Sequence, residues 1–168
     1  MNAEELRASQ APLKQRYRDD PASALIPAHA EGTLDLDDVA IKVRSWHGDV
    51  TAGLHKAGGG SGELACSADM LLEAMVACAG VTLRAVATAM GVTIRSGKVS
   101  ADGVWDARGT LGVDRSAPVG LTEVTLRFDI DCDADQARLE RMIQTTERYC
   151  VILQTLKSPP KVSVAIGS

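Results

Sequence analysis

The chain has 168 residues, a length that suits one domain with a hydrophobic core of its own. Its net charge is −4 and its sequence pI is near 5.3, with no basic run, so nucleic-acid binding is not expected. Aromatic residues make up only 3% of the chain, so the core must be aliphatic and rich in alanine. The opening MNAEELRASQ has no apolar run and is not a signal peptide, so we expect a cytoplasmic protein with reduced cysteines.

Residues 1–28 are predicted to form a helical arm, ahead of an α+β domain at residues 29–168. The arm is charged and contains few apolar residues. Proline lacks a backbone N–H and disrupts helix interiors, so we expect Pro12 to interrupt the arm and Pro21 to end it. The arm could pack on the domain or on a partner, and its sequence does not distinguish the two.

Three short strands are predicted after the arm, because apolar residues alternate there with polar ones. The segments GTLDL, DVAIKVRSW and VTAGL form these strands, with a turn at His47–Asp49 between the last two. A glycine-rich loop, Ala57–Gly62, follows. It precedes a helix N-terminus, where anions can bind, but it lacks the lysine and hydroxyl residue of a phosphate loop, so a flexible linker is the preferred interpretation.

The stretch Ser67–Gly91 is predicted to be a buried helix, because it is rich in alanine and leucine and apolar on nearly every face. We expect Ser67 to be its N-cap and Gly91 to lie just past its end. Glu73 and Arg84 interrupt the apolar run, which argues against a membrane span.

Strands return after Gly91. VTIRSGKVSADGVWDARG is predicted to be a strand pair or one long strand bent at Gly97, and Leu121–Ile130 is a clear strand. Asp133 or Asp135 is expected to cap a second helix, and KVSVAIG to form a last strand. This order of elements indicates an α+β fold. An apolar helix needs other elements packed against all of its faces, and a second copy of the chain could provide some of them.

Cys78 and Cys150 are the candidate functional residues, because both lie on apolar helix faces and could meet across a helix–helix contact. The alternative is that both are inert core residues, since free cysteine is usually buried and unreactive. The sequence lacks CxxC, HxxxH and GxSxG motifs, so neither a metal nor a cofactor is expected, and a serine-hydrolase triad is not expected either.

Two motifs resemble the OsmC/Ohr family of osmotically inducible and organic hydroperoxide resistance proteins. SADMLLEAMVACAGVTLRAVATAMGV is similar to the family's central helix, whose pattern is roughly SPEELLLAALAACLAMTL, and ERYCVILQTL is similar to its second cysteine motif, YCPVSNTL. The separation of the two cysteines, the intervening WDARGTLGV and the closing KVSVAI also match. The resemblance extends from about Gly32 to Ile166.

The resemblance implies an intertwined homodimer in which strands wrap around long central helices. It also implies reduction of alkyl or lipid hydroperoxides in oxidative-stress defence, with Cys78 as peroxidatic and Cys150 as resolving thiol. The two would form a disulfide that a lipoyl-type or thioredoxin-like dithiol reduces. No nucleic acid or membrane partner is implied.

The chain departs from the family pattern at two positions. Ala68 stands where the family has a carboxylate that holds an activating arginine, and Val151 replaces the proline after the second cysteine. Arg44 is the candidate for that arginine. These departures leave open an alternative function, in which a non-catalytic OsmC-like dimer binds an apolar or thiol-reactive small molecule. The parts played by Cys66 and Cys132 are also left open.

Overall fold

The computed structural model describes residues 1–45 and 48–167. Helices and strands alternate irregularly along the chain, as an α+β order predicts. The elements are α1 (Ala3–Asp19), β1 (Glu31–Leu34), β2 (Ala40–Arg44), β3 (Val50–Gly53), α2 (Ser67–Met90), β4 (Ile94–Trp105), α3 (Ala107–Thr110), β5 (Leu121–Cys132), α4 (Gln136–Tyr149) and α5 (Val151–Lys157). Single 3-10 turns lie at Pro21–Ala24 and Lys56–Gly58.

The N-terminal helix α1 runs without interruption through Pro12, so the prediction of a break there is wrong. Proline at this position removes the hydrogen bond to the carbonyl of Ala8. Ala8 is exposed, so water can satisfy that carbonyl. The predicted end of the helix is confirmed, because α1 stops at Asp19 and Pro21 opens a separate 3-10 turn.

The three predicted strands before residue 55 form one antiparallel sheet in the order β1-β2-β3. Glu31 pairs with Arg44 at one end of the β1–β2 ladder, and Ala40 pairs with Gly53 at one end of the β2–β3 ladder. Trp46, the predicted end of the second strand, and His47, in the predicted turn, lie outside the described residues.

Helix α2 ends as its sequence predicts. Gly91 adopts a left-handed conformation with φ of 64°. Its N–H donates to the carbonyl of Thr88 at 3.1 Å, and the N–H of Val92 donates to that of Ala87 at 2.9 Å, which is a Schellman motif. The start differs by one residue, because Ser67 is already helical and the carbonyl of Cys66 accepts the bond from Met70.

Only one face of α2 is buried, although the sequence predicts burial on all sides. Its buried residues recur every four positions, and they are Met75, Ala79, Leu83 and Ala87. On another face Val81 is 72% exposed. By length and composition α2 could span a membrane, with a mean hydropathy of 1.7, but core helices of soluble proteins have the same properties. A single chain does not supply the cover that this helix needs.

The segment after Gly91 is one long strand, β4, which pairs with β5 in a two-stranded sheet. Gly97 permits close packing of the two strands, because a Cβ there would lie 2.9 Å from Cδ1 of Ile130. In β5 the alternation predicted from the sequence is confirmed for Leu126, Phe128 and Ile130, which are half-buried between exposed neighbours.

The second predicted helix is two helices, α4 and α5, which meet at Cys150. Asp135 caps α4 by accepting a hydrogen bond from the N–H of Arg138 at 2.8 Å, whereas Asp133 accepts one from the N–H of Thr93. Cys150 has extended backbone angles, with φ −75° and ψ 106°, and its side chain is 0% exposed. The chain therefore turns at a buried thiol.

The predicted last strand, KVSVAIG, is irregular in the structure, so that prediction is wrong for the single chain. Its apolar residues are exposed, and Ile166 is 98% exposed. A strand is stable only when a neighbouring strand supplies its hydrogen bonds, and in the described residues no strand pairs with this segment.

Contacts divide the chain into two units. One comprises Met1–Ser9, Ala74–Ser100 and Phe128–Ser168, and the other comprises Gln10–Glu73 and Ala101–Arg127. The core of the first unit is formed by Leu83, Ala87, Val92 and Met142, with half-buried side chains of β4, β5 and α4 packed against them. The second unit contains the three-stranded sheet. The division into residues 1–28 and 29–168 stays a prediction.

Candidate functional site

Cys78 and Cys150 lie together in the first unit, as their positions on apolar helix faces predict. Cys78 is half-buried in the middle of α2, and Cys150 is buried at the junction of α4 and α5. Each of the two thiols shifts the pKa of the other, Cys150 by hydrogen bonding that lowers the pKa of Cys78, so the two side chains are adjacent. Both are free thiols, so the site contains an adjacent pair of reduced cysteines.

The pKa of Cys78 lies below its ordinary value. Burial alone would raise it, because an apolar environment disfavours the thiolate. Hydrogen bonding from the backbone N–H of Ile152, the Cys150 thiol, the backbone N–H of Val151 and the Thr82 hydroxyl lowers the pKa by more than burial raises it. Donors that stabilise the charged form make Cys78 the more nucleophilic thiol.

Cys150 shows the opposite shift. Burial raises the pKa of Cys150, and the neighbouring Cys78 sulfur raises it further by repelling a second negative charge and by accepting the Cys150 proton in a hydrogen bond. The backbone N–H of Leu153 acts in the other direction but does not outweigh these effects. The pair is therefore asymmetric, because the pKa of Cys78 is lowered and the pKa of Cys150 is raised, so Cys78 ionises more readily than Cys150.

The amide donors depend on the break between α4 and α5. The first N–H groups of any helix have no partner within the helix. Because α5 begins at Val151, the N–H groups of Val151 and Ile152 are free to act on the Cys78 sulfur. Sequence reasoning missed these donors, because backbone groups leave no signature in residue type. The one available signal was Val151 itself, since proline at that position would have no N–H.

Arg44, the candidate activating residue, is engaged elsewhere. It lies on β2, where its guanidinium forms an exposed ion pair with Glu31 at 2.8 Å. In the described part of the chain, the groups that act most strongly on the Cys78 sulfur include no arginine. Among the same residues, no group of three or more His, Cys, Asp or Glu side chains is placed to hold a metal ion.

A separate cavity of about 400 Å³ lies in the second unit. Its lining is mostly apolar and includes Leu71, Trp105 and Ala68, the residue at the position of the family's carboxylate. Its polar lining residues are His55, Cys66, Ser67 and Thr110. The His55 ring meets Trp105 edge-on at 5.5 Å between centroids, and its Nδ1 accepts a hydrogen bond from the N–H of Ala57 at 3.0 Å.

Cys132 does not line this cavity and packs against the core of the first unit.

Solved structures of similar fold support the family resemblance. An OsmC-like protein from Mycoplasma pneumoniae matches with a TM-score of 0.66 and 19% identity, over 80% of this chain and 89% of that one. An organic hydroperoxide resistance protein from Elizabethkingia anophelis matches with a TM-score of 0.64 and 17% identity, over 80% and 91%. The organic hydroperoxide resistance protein OhrB of Bacillus subtilis matches with a TM-score of 0.59 and 15% identity, over 80% and 93%.

At these identities the structural likeness establishes the fold and not the activity. The comparison with curated proteins finds no match. The family model described as OsmC-like protein matches residues 60–165, which contain both Cys78 and Cys150 and more than half of the chain. The chain therefore belongs to the OsmC-like protein family.

Proposed function

We propose that this protein reduces organic hydroperoxides with its own thiols, with Cys78 as the peroxidatic and Cys150 as the resolving cysteine. The proposal is supported by the asymmetry of the pair, in which the pKa of Cys78 is lowered and the pKa of the adjacent Cys150 is raised. A two-cysteine peroxidase needs one nucleophilic thiolate and one protonated thiol within reach of it.

The first step is attack of the Cys78 thiolate on the O–O bond of the hydroperoxide. An S–O bond forms as the O–O bond breaks, the sulfur is oxidised to a sulfenic acid, and the alkoxide takes a proton from solvent to leave as an alcohol. The N–H groups of Ile152 and Val151 favour this step because they stabilise the thiolate that attacks.

The second step resolves the sulfenic acid. The Cys150 sulfur attacks the Cys78 sulfur, an S–S bond forms, and the hydroxyl of the sulfenic acid leaves as water with the proton of the Cys150 thiol. A dithiol reductant, lipoyl-type or thioredoxin-like, then restores both thiols by thiol–disulfide exchange and becomes a disulfide itself. Each thiol already shifts the pKa of the other, so the two sulfurs are neighbours before the reaction.

The substrate class follows from the residues around the pair. Val151, next to Cys150, is 68% exposed, and Tyr149 on the other side of Cys150 is also exposed. Exposed apolar side chains beside a reactive thiol favour alkyl or lipid hydroperoxides over hydrogen peroxide. The solved structures of similar fold include proteins named for organic hydroperoxide resistance, which agrees with this choice.

We further propose that the protein acts as a cytoplasmic homodimer whose α2 helices pack together. The support is the exposed strip of α2, on which Ala74, Ala77 and Val81 recur at helical spacing in the first unit. Small residues in such a strip let two helices approach closely, and a second copy would also cover the exposed apolar end of the chain, including Val164 and Ile166. Sedimentation should give a dimer mass at micromolar concentration, and a monomer would contradict this arrangement.

Thiol titration tests the proposed chemistry. One equivalent of cumene hydroperoxide should remove about two of the four thiols of the reduced protein. The variant Cys78→Ser should keep its remaining thiols, whereas Cys132→Ser, which leaves the pair intact, should react like the wild type. Persistence of all four thiols in the wild type, or equal peroxide consumption by Cys78→Ser, would overturn the proposal.

The cavity in the second unit supports the alternative function, binding of an apolar small molecule. Ala68 lines this cavity in place of the family's carboxylate, so an apolar lining is found where the family pattern has a charge. The fluorescence of N-phenyl-1-naphthylamine, an uncharged apolar probe, should rise with the wild type and not with Ala68→Trp, whose larger side chain would fill the cavity. Saturable probe binding by a protein whose thiols resist hydroperoxide would favour binding over catalysis.

A further inference from the structure

The hydroxyl groups of helical threonines follow a common pattern in this protein. Four of the five threonines within α2, α4 and α5 donate to the backbone carbonyl four residues earlier, which is the usual partner for threonine inside a helix. These bonds run from Thr88 to Arg84 at 2.8 Å, from Thr145 to Arg141 at 2.6 Å, from Thr146 to Met142 at 2.9 Å and from Thr155 to Val151 at 2.9 Å.

Thr82 is the exception. It lies four residues after Cys78 on α2, so the two side chains share a face of the helix. This spacing brings the hydroxyl next to the Cys78 thiol, and its hydrogen bonding is one of the causes that lower the pKa of Cys78. The neighbouring residues Ala79 and Leu83 are buried, so this part of α2 is held by core packing. The β-branched side chain of threonine has few rotamers in a helix, so the hydroxyl is well suited to fix the position of its partner.

We propose that Thr82 is a positioning residue for Cys78, whose hydroxyl holds the sulfur where it meets the Cys150 thiol and the first N–H groups of α5. Its importance for catalysis rests on the proposed function, in which Cys78 is the reacting thiol. Of the groups in the described residues that act most strongly on that sulfur by hydrogen bonding, Thr82 lies on α2, whereas Cys150, Val151 and Ile152 lie at the α4–α5 junction. The Cys78 sulfur is therefore positioned by groups from α2 and from the α4–α5 junction.

The test is the pH dependence of Cys78 alkylation by iodoacetamide, followed at the Cys78 peptide by mass spectrometry. Thr82→Val keeps the shape of the side chain and removes the hydroxyl, so the midpoint of the profile should rise by about 0.5 to 1 pH unit. Thr82→Ser restores a hydroxyl and should return the midpoint toward the wild type. The matched control is Thr88→Val on the same helix, which should leave the Cys78 midpoint unchanged.

Two results would overturn the inference. One is a Thr82→Val profile that coincides with the wild-type profile, and the other is an equal shift in Thr88→Val. Circular dichroism checks that each variant is folded, and if Thr82→Val is not, Thr82→Ala, which also lacks the hydroxyl, should give the same upward shift. The alkylation profile is measured without hydroperoxide, so it tests the positioning role independently of the proposed function. If Thr82→Val shifts the profile but the wild-type thiols do not react with hydroperoxide, the proposed function is contradicted and the positioning role is supported. Normal peroxide reduction by the wild type, together with an unshifted alkylation profile in Thr82→Val, would support the proposed function and contradict the positioning role of Thr82.

Discussion

Cys78 and Cys150 are adjacent thiols whose pKa values are shifted in opposite directions, each partly by the other. The pKa of Cys78 is lowered because hydrogen bonds outweigh its burial, and the pKa of Cys150 is raised by burial and by the sulfur beside it. Two thiols in one apolar site would otherwise both resist ionisation. The asymmetry comes from the fold, because the backbone N–H groups at the start of α5 help to outweigh the burial of Cys78 but do not outweigh the burial of Cys150.

The opposite pKa shifts predict an order of alkylation. As pH rises, the Cys78 thiolate should form first, so iodoacetamide should modify Cys78 at a lower pH than Cys150. Peptide mass spectrometry between pH 6 and about 10 measures both profiles. In urea the difference should vanish, because the folded environment causes it. Earlier modification of Cys150, or coincident profiles in the native protein, would be inconsistent with the site described above.

The substitution Val151→Pro tests the amide donor at the start of α5. Proline has no N–H, so one hydrogen bond to the Cys78 sulfur is lost and the alkylation midpoint of Cys78 should rise by about 0.5 to 1 pH unit. The fold should tolerate the change, because proline suits the first position of a helix and Cys150 already has the extended backbone that a residue before proline needs.

Val151→Ala is the matched control for this experiment, because it shortens the side chain and keeps the N–H. Its midpoint should stay at the wild-type value. If Val151→Pro and Val151→Ala give the same alkylation midpoint for Cys78, the backbone N–H at this position does not influence Cys78. A midpoint that shifts equally in both variants would then come from side-chain packing around Cys150.

The substitution Gly91→Ala tests the end of α2. Gly91 has φ of 64°, a left-handed conformation that costs a residue with a Cβ about 1 to 2 kcal/mol, so the free energy of unfolding should fall by about that amount. Urea denaturation at a fixed protein concentration measures it. Gly120→Ala is the control, since an added Cβ there has no atom within 4 Å and φ is not in the left-handed range, so its stability should barely change. Equal stability of the two variants would argue against the Schellman motif.

Local signals in the sequence predict the elements that depend on local chemistry. The apolar run and Gly91 define α2 to within one residue at each end, and Asp135 caps α4 as expected. These features are readable because capping and helix propensity act over a few neighbouring residues. The sequence also predicts that Cys78 and Cys150 can meet, because it places both on apolar helix faces, although Cys150 lies at the junction of α4 and α5 in the structure.

Features that depend on distant contacts are not readable in the same way. The break between α4 and α5 at Cys150 is not marked by a glycine or a proline. The backbone of Cys150 is extended and its thiol is buried, and neither property follows from the neighbouring residue types. The alternation in KVSVAIG predicts a strand, but a strand needs a neighbour, and the described part of the single chain provides none for it. The continuation of α1 through Pro12 depends on the exposure of the helix backbone at Ala8, which residue type alone does not reveal.

The disulfide map after one equivalent of cumene hydroperoxide shows whether Cys78 and Cys150 form the redox pair. Trapping free thiols, digesting the protein without reduction and identifying the linked peptides by mass spectrometry would show which sulfurs have joined. We predict a link between Cys78 and Cys150, with Cys66 and Cys132 remaining free. A link that omits Cys78, or four free thiols after exposure to the hydroperoxide, would contradict it.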